Sequence, residues 1–136
     1  MISSLPLDGG AAAMQGQGQP FLIYQQLSQN YDTQLLDANF TGIPAGTDVV
    51  MIVQPGMLNA QQDYAIDQFV MKGGRALVFV DPNSEIAAAA QGQSPAMSAP
   101  AASAMPRLFQ AWGIDFNANK VIGDLDLAQR VQTSGD

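Results

Sequence analysis

Apolar side chains run without a break from Val49 to Val53 and stop at Gln54-Pro55-Gly56. They run again from Ala76 to Val80 and stop at Asp81-Pro82. Short runs rich in β-branched residues and bounded by turn residues predict strands buried on both faces. Between them the spacing turns helical. Asn59 is a good N-cap, and Gln62 stands three residues on to close a capping box. Ile66, Phe69 and Val70 fall at i, i+3 and i+4 as one apolar stripe, and Gly73-Gly74 supplies the stop. Strand, helix and strand between residues 48 and 82 predict a βαβ unit with parallel strands and a right-handed crossover. In such a sheet the strand C-termini carry the functional loops, here Gln54 to Leu58 and Asp81 onward.

The flanks are less regular. Met1 to Leu7 has the apolar content of a short first strand. Residues 9–19 (GGAAAMQGQGQ) have neither charge nor periodicity and predict a flexible loop. Pro20 suits the first turn of a helix that continues from Phe21 to Gln29, with Ile23 and Leu27 paired at i, i+4. Tyr31 to Leu36 predicts a second strand, and Asn39 to Thr47 a turn-rich connection. Residues 85–104 are low in complexity, with Pro95 and Pro100 breaking any long helix. Met105 to Trp112 predicts a helix with Leu108, Phe109 and Trp112 on its apolar face and Gly113 at its end. One more strand is expected at Lys120 to Ile122. Both Ala/Gln-rich segments would overhang the C-terminal rim of the sheet and be the most mobile parts of the chain.

The length fits a single α/β domain over residues 1–136. The chain reads as an excised domain, a fragment of a longer protein. Apolar residues make up 47% of it, enough for a core, while only 12% are charged and the net charge is −7. The five basic residues are scattered, so no stripe exists for a phosphate backbone, and nucleic acid is not an expected partner. The chain has no cysteine and no histidine. A Ser-His-carboxylate triad, a cysteine nucleophile and a His- or Cys-ligated zinc site therefore cannot be built from it. No apolar stretch is long enough to span a membrane.

What remains as candidate chemistry is sparse. Asp81 sits at a strand C-terminus, where carboxylates of α/β proteins hold Mg²⁺ or phosphates, but it equally caps a turn ahead of Pro82. Gly73-Gly74 follows a helix and precedes a strand, the reverse of a phosphate loop. Asp124 and Asp126 alternate with leucines and lack the further oxygen ligands of a calcium loop. Tyr24, Tyr31, Tyr64 and Trp112 have rings that can stack on a sugar or cover the sheet.

The run from Asp48 to Pro82 carries a family resemblance. An Asp precedes an apolar strand and a Gln-Pro turn; then come a helix containing AIDQFV and the segment KGGRALVFVDP. This resembles the extracytoplasmic region of the auxiliary component of ABC transport systems of the gliding-motility type. The opening ISSLPL, Gln19 to Leu27, Asn39 to Pro44 and the closing VIGDLDLA fit as well, so the resemblance covers most of the chain. It implies a flavodoxin-like three-layer α/β sandwich with a mainly parallel sheet. That architecture is related to class I glutamine amidotransferase-like domains and to a domain of an intraflagellar-transport subunit. It also implies a membrane-anchored protein at the periplasmic face of the inner membrane, working with an ABC permease and ATPase. The family has no established catalytic residues to carry over. Amidotransferase chemistry fails here because the strand-to-helix turn reads Gln54-Pro55-Gly56-Met57, with no nucleophile and no histidine to activate one.

The expected function is therefore binding. A ligand, a saccharide for instance, would sit at a rim made of Gln54, Pro55, Gly56, Met57, Asp81, Asn83 and Ser84, or else partner subunits would dock. No cofactor or metal is expected, and membrane contact would come through segments beyond residues 1–136. The rival reading is a carboxylate- and metal-dependent hydrolase using Asp81.

Overall fold

The computed structural model describes residues 1–10, 13, 16, 18–82, 84, 86 and 105–120. Three strands lie side by side, all parallel, in the order β1 (Ile2–Ser3), β2 (Val49–Val53), β3 (Arg75–Phe79). The register pairs Ile2 with Ile52, Val50 with Ala76, and Ile52 with Val78. Among the described residues the chain forms helices α1 (Leu22–Asn30), α2 (Ala60–Met71) and α3 (Pro106–Ala111). The βαβ unit is thus β2–α2–β3, as the apolar pattern predicts, with β3 set one residue earlier than its apolar run.

Local chemistry fixes the ends of α2. The Asn59 side chain accepts from the backbone N–H groups of Gln61 (2.9 Å) and Gln62 (3.0 Å), and Gln62 Oε1 accepts from Asn59 N–H at 3.0 Å. Three N–H groups left orphaned by the helix start are satisfied in this way. Gln62 is buried, and its Nε2 donates to the Ala38 carbonyl at 2.7 Å, so one side chain closes the cap and ties the helix to the preceding connection. At the other end the two glycines answer different needs. Gly73 has φ +90°, a left-handed conformation that a Cβ disfavours. At Gly74 a Cβ would come within 2.4 Å of the Phe69 ring, so the ring packs directly on bare backbone.

Alternation along the strands divides the apolar residues between two clusters. Ile2, Val50 and Ile52 point to one side of the sheet and meet Ile66 of α2, Leu108 and Phe109 of α3, and Met105, with Phe69, Val78 and Trp112 around them. Met1 and Val53 point to the other side and join Leu5, Leu7, Phe21, Tyr24 and Leu35. The molecule is α/β, with parallel strands and apolar packing on both sides of β2.

Several expectations change. The strands were expected to be buried on both faces, but β3 is buried on neither side fully: Leu77 and Phe79 are 52% and 51% exposed. Among the described residues the second cluster includes Val53 of β2 but neither Leu77 nor Phe79, which leaves that row of β3 open. Tyr31 to Leu36 is not a strand. It runs beside Met1 with just two links, Leu36 N–H to the Met1 carbonyl (2.9 Å) and the Met1 ammonium to the Gln34 carbonyl, because a two-residue β1 offers no longer ladder. Its side chains still alternate, Leu35 entering one cluster and Leu36 the other. In α1 the packed residue is Tyr24 rather than the pair Ile23 and Leu27, and none of its residues is fully buried. Of the loop expected at 9–19, residues 11, 12, 14, 15 and 17 lie outside the described residues; within the rest, Gly10 N–H donates to Asp8 Oδ1 (2.9 Å) and Ala13 N–H to the Gly9 carbonyl (3.1 Å), an i to i+4 bond of helical type. The segment 85–104, apart from Ile86, and the strand expected at Lys120 to Ile122, apart from Lys120, lie outside the described residues.

Candidate functional site

The C-terminal rim of the sheet is organised by Gln54. The residue is buried and takes a left-handed backbone conformation, φ +44°, at the end of β2. Its Nε2 donates to the Asp81 carbonyl at 2.6 Å, and its Oε1 accepts from Asp81 N–H at 2.7 Å. The side-chain amide thereby acts as one more rung between β2 and the continuation of β3. On the backbone, Gln54 N–H donates to the Phe79 carbonyl (2.9 Å), while its carbonyl accepts from Ser4 N–H (3.0 Å) and Ser4 Oγ (2.6 Å). Each polar atom of Gln54 is engaged within the chain, and the three strand ends are tied through this one residue.

Around it the expected rim residues divide. Asp81 is brought against Gln54 through its backbone and is exposed. Pro55 is buried, and Gly56 lies close to Ser4, where a Cβ would meet the serine Cβ at 3.3 Å. Met57 projects outward, 84% exposed. Ser84 is half-buried, and Asn83 lies outside the described residues. A small cavity of about 280 Å³ adjoins the rim between Gly56–Leu58, Asp63 and Met105–Arg107. Arg107 and Asp63 form an ion pair across it at 3.4 Å, joining α3 to α2. Among the described residues no group of three His, Cys, Asp or Glu side chains gathers to hold a metal. Asp124 and Asp126 lie outside that set.

The larger concavity is at the opposite end of the sheet. A cleft of about 630 Å³ opens between the C-terminal end of α1 with the Tyr31–Gln34 segment on one side and the start of β2 with Leu77 of β3 on the other. Leu27, Leu36, Ile43, Val49, Met51 and Leu77 give it apolar walls, and Tyr31, Asp32, Thr33, Thr47 and Asp48 add polar groups. The turn that brings Thr47 there is closed by its own hydroxyl, which donates to the Pro44 carbonyl at 2.8 Å. Half-burial holds the Met1 ammonium at the cleft wall below its usual pKa. The four rings singled out in the sequence take separate places. Tyr24 packs in the second cluster; Trp112 lies against the first, with Nε1–H donating to Asp67 at 3.0 Å. Tyr64 is exposed on α2, and Tyr31 lines the cleft. The strand C-termini were the expected place for a ligand, and Tyr31, expected to stack on a sugar or cover the sheet, lines this other end instead.

Among the described residues no helix is long and apolar enough to cross a membrane. Comparison with curated proteins and with solved structures finds no match. A family model described as an ABC-type uncharacterized transport system matches residues 3–136, nearly the whole chain, and the protein therefore belongs to this family of auxiliary ABC transport components.

Proposed function

We propose that this chain is a non-catalytic, extracytoplasmic domain of an ABC-transporter auxiliary protein, anchored at the periplasmic face of the inner membrane. It acts by binding: it holds a ligand or docks on the permease and ATPase of its system. The observation that carries this reading is the turn after β2. In the amidotransferase-like relatives that the resemblance implies, this turn would carry a nucleophile; here it holds a buried glutamine whose polar atoms stitch strand ends together. The side chains that follow, Pro55, Gly56 and Met57, offer no nucleophile. Family membership supports the transporter context. Parallel strands with apolar clusters on both sides of β2 support a flavodoxin-like sandwich related to class I amidotransferase-like domains.

The test is co-purification. The whole protein carrying this chain, tagged and extracted from membranes in mild detergent, should bring down an ABC ATPase and a permease. A phosphatase reporter fused after Asp136 should be active only if the domain is exported. Recovery of the protein alone, or a silent reporter, overturns the corresponding part of the reading.

A further inference from the structure

We infer that the cleft at the amino ends of β2 and β3 is a saccharide site, distinct from the C-terminal rim; this rests on the reading of the domain as a binding module. The size fits, since small-molecule sites span roughly 300–1,000 Å³ and this cleft measures about 630 Å³. The lining discriminates among ligand classes. It holds two carboxylates, Asp32 and Asp48, and no lysine or arginine, and its one amine, that of Met1, is engaged by the Gln34 carbonyl, on a chain whose net charge is −7. Phosphorylated and carboxylated ligands are disfavoured by that field. Carboxylates only accept hydrogen bonds, so the ligand they select is rich in donors, as vicinal hydroxyls are. A wholly apolar ligand would strand these groups without partners.

The remaining walls suit the other side of a sugar ring. Leu27, Met51 and Leu77 provide an apolar surface, and Tyr31, 69% exposed, presents a ring on which the C–H face of a pyranose can stack while its hydroxyls reach the carboxylates. The half-exposed Leu77, unexplained as a core residue, becomes part of the floor. Tyr31 and the turn that carries Thr47 and Asp48 both line the cleft, so these parts of the site come from connections rather than from strand C-termini.

The experiment is a ¹⁵N-resolved NMR titration of the 1–136 chain with glucose, maltose and N-acetylglucosamine, with glucose 6-phosphate as the anionic control. A neutral sugar should shift the amides of Tyr31–Gln34 and of residues 45–49, and the phosphate ester should bind more weakly. Tyr31→Ala, at an exposed position, should weaken binding about tenfold with an unchanged unfolding midpoint. Asp48→Asn should weaken it as well. No shift with any neutral sugar, shifts confined to Gln54–Leu58, equal binding of glucose 6-phosphate, or full affinity in Tyr31→Ala would each overturn the inference. A chain that is captured by permease and ATPase but blind to all the sugars would sink this inference alone and leave the transporter reading standing.

Discussion

At the scale of single residues, two side chains do more than their types suggest. Gln54 would pass for a polar rim residue in any scan for ligand contacts, yet its amide is spent on the Asp81 backbone and its burial leaves no water to replace those bonds. Gln54→Leu should therefore cost about 2–4 kcal/mol, from two lost hydrogen bonds plus a carbonyl and an N–H left short of partners. Urea unfolding checks this; a loss below about 0.5 kcal/mol would mean the clasp contributes little. Gly74 is the second case. Gly74→Ala places a methyl within 2.4 Å of a Phe69 ring atom, so the ring or the backbone must shift. The change should destabilise the fold by about 1–3 kcal/mol, the range for overpacking. In a Phe69→Leu background the penalty should shrink, because the clashing atoms are gone. Equal penalties in both backgrounds would show that the ring is not what the methyl meets.

Among the elements, β2 and β3 look alike in sequence and differ in burial, which makes the contrast between Ile52 and Leu77 informative. Ile52 is fully buried between Ile2, Val78 and the helices, so Ile52→Ala should cost about 2–5 kcal/mol. Leu77 faces the open cleft, and Leu77→Thr should stay within about 0.5 kcal/mol of the parent. Chemical denaturation of the two variants decides between this picture and a sheet covered on both faces. The same contrast shows what the sequence could tell. The capping box at Asn59 and Gln62, the strand at Val49–Val53 and the glycine stop were legible because each depends on neighbours a few positions away. The exposure of Leu77 and Phe79 was not legible: a continuous apolar run records how apolar a strand is, while its cover is set by distant segments of the chain. Likewise Tyr31 to Leu36 has strand-like alternation, and a two-residue partner left it without a ladder. At the candidate site, the convergence of Gln54 and Asp81 followed from parallel topology. The use of their atoms for structure did not, since it depends on the left-handed turn at Gln54. The cleft was missed altogether, because it is built from residues 27–51 and 77, which meet only in the folded chain.

On the scale of the whole molecule, the arrangement bears on whether this domain does chemistry. A chain without cysteine or histidine retains only hydroxyls, carboxylates and amines as reactive groups, and each needs a partner to be activated near neutral pH. Ser4 lies at the rim, and its hydroxyl donates to the Gln54 carbonyl at 2.6 Å, a backbone oxygen that cannot take its proton. Asp81 is exposed, and among the described residues no other carboxylates join it in a group able to hold a metal. Asp63 is paired with Arg107 at 3.4 Å beside the second cavity. The expected outcome is that the purified domain turns over neither glutamine nor simple esters nor phosphoesters, with or without Mg²⁺, Mn²⁺ or Ca²⁺. Its melting temperature should be indifferent to those ions, since a metal bound by the folded state alone would raise it by mass action. Turnover that persists through repurification and disappears in Asp81→Asn would establish the hydrolase instead. Asp81 holds Gln54 through its backbone N–H and carbonyl, which Asp81→Asn retains, and the urea unfolding midpoint of that variant, measured beside its activity, separates a lost reaction from a lost fold.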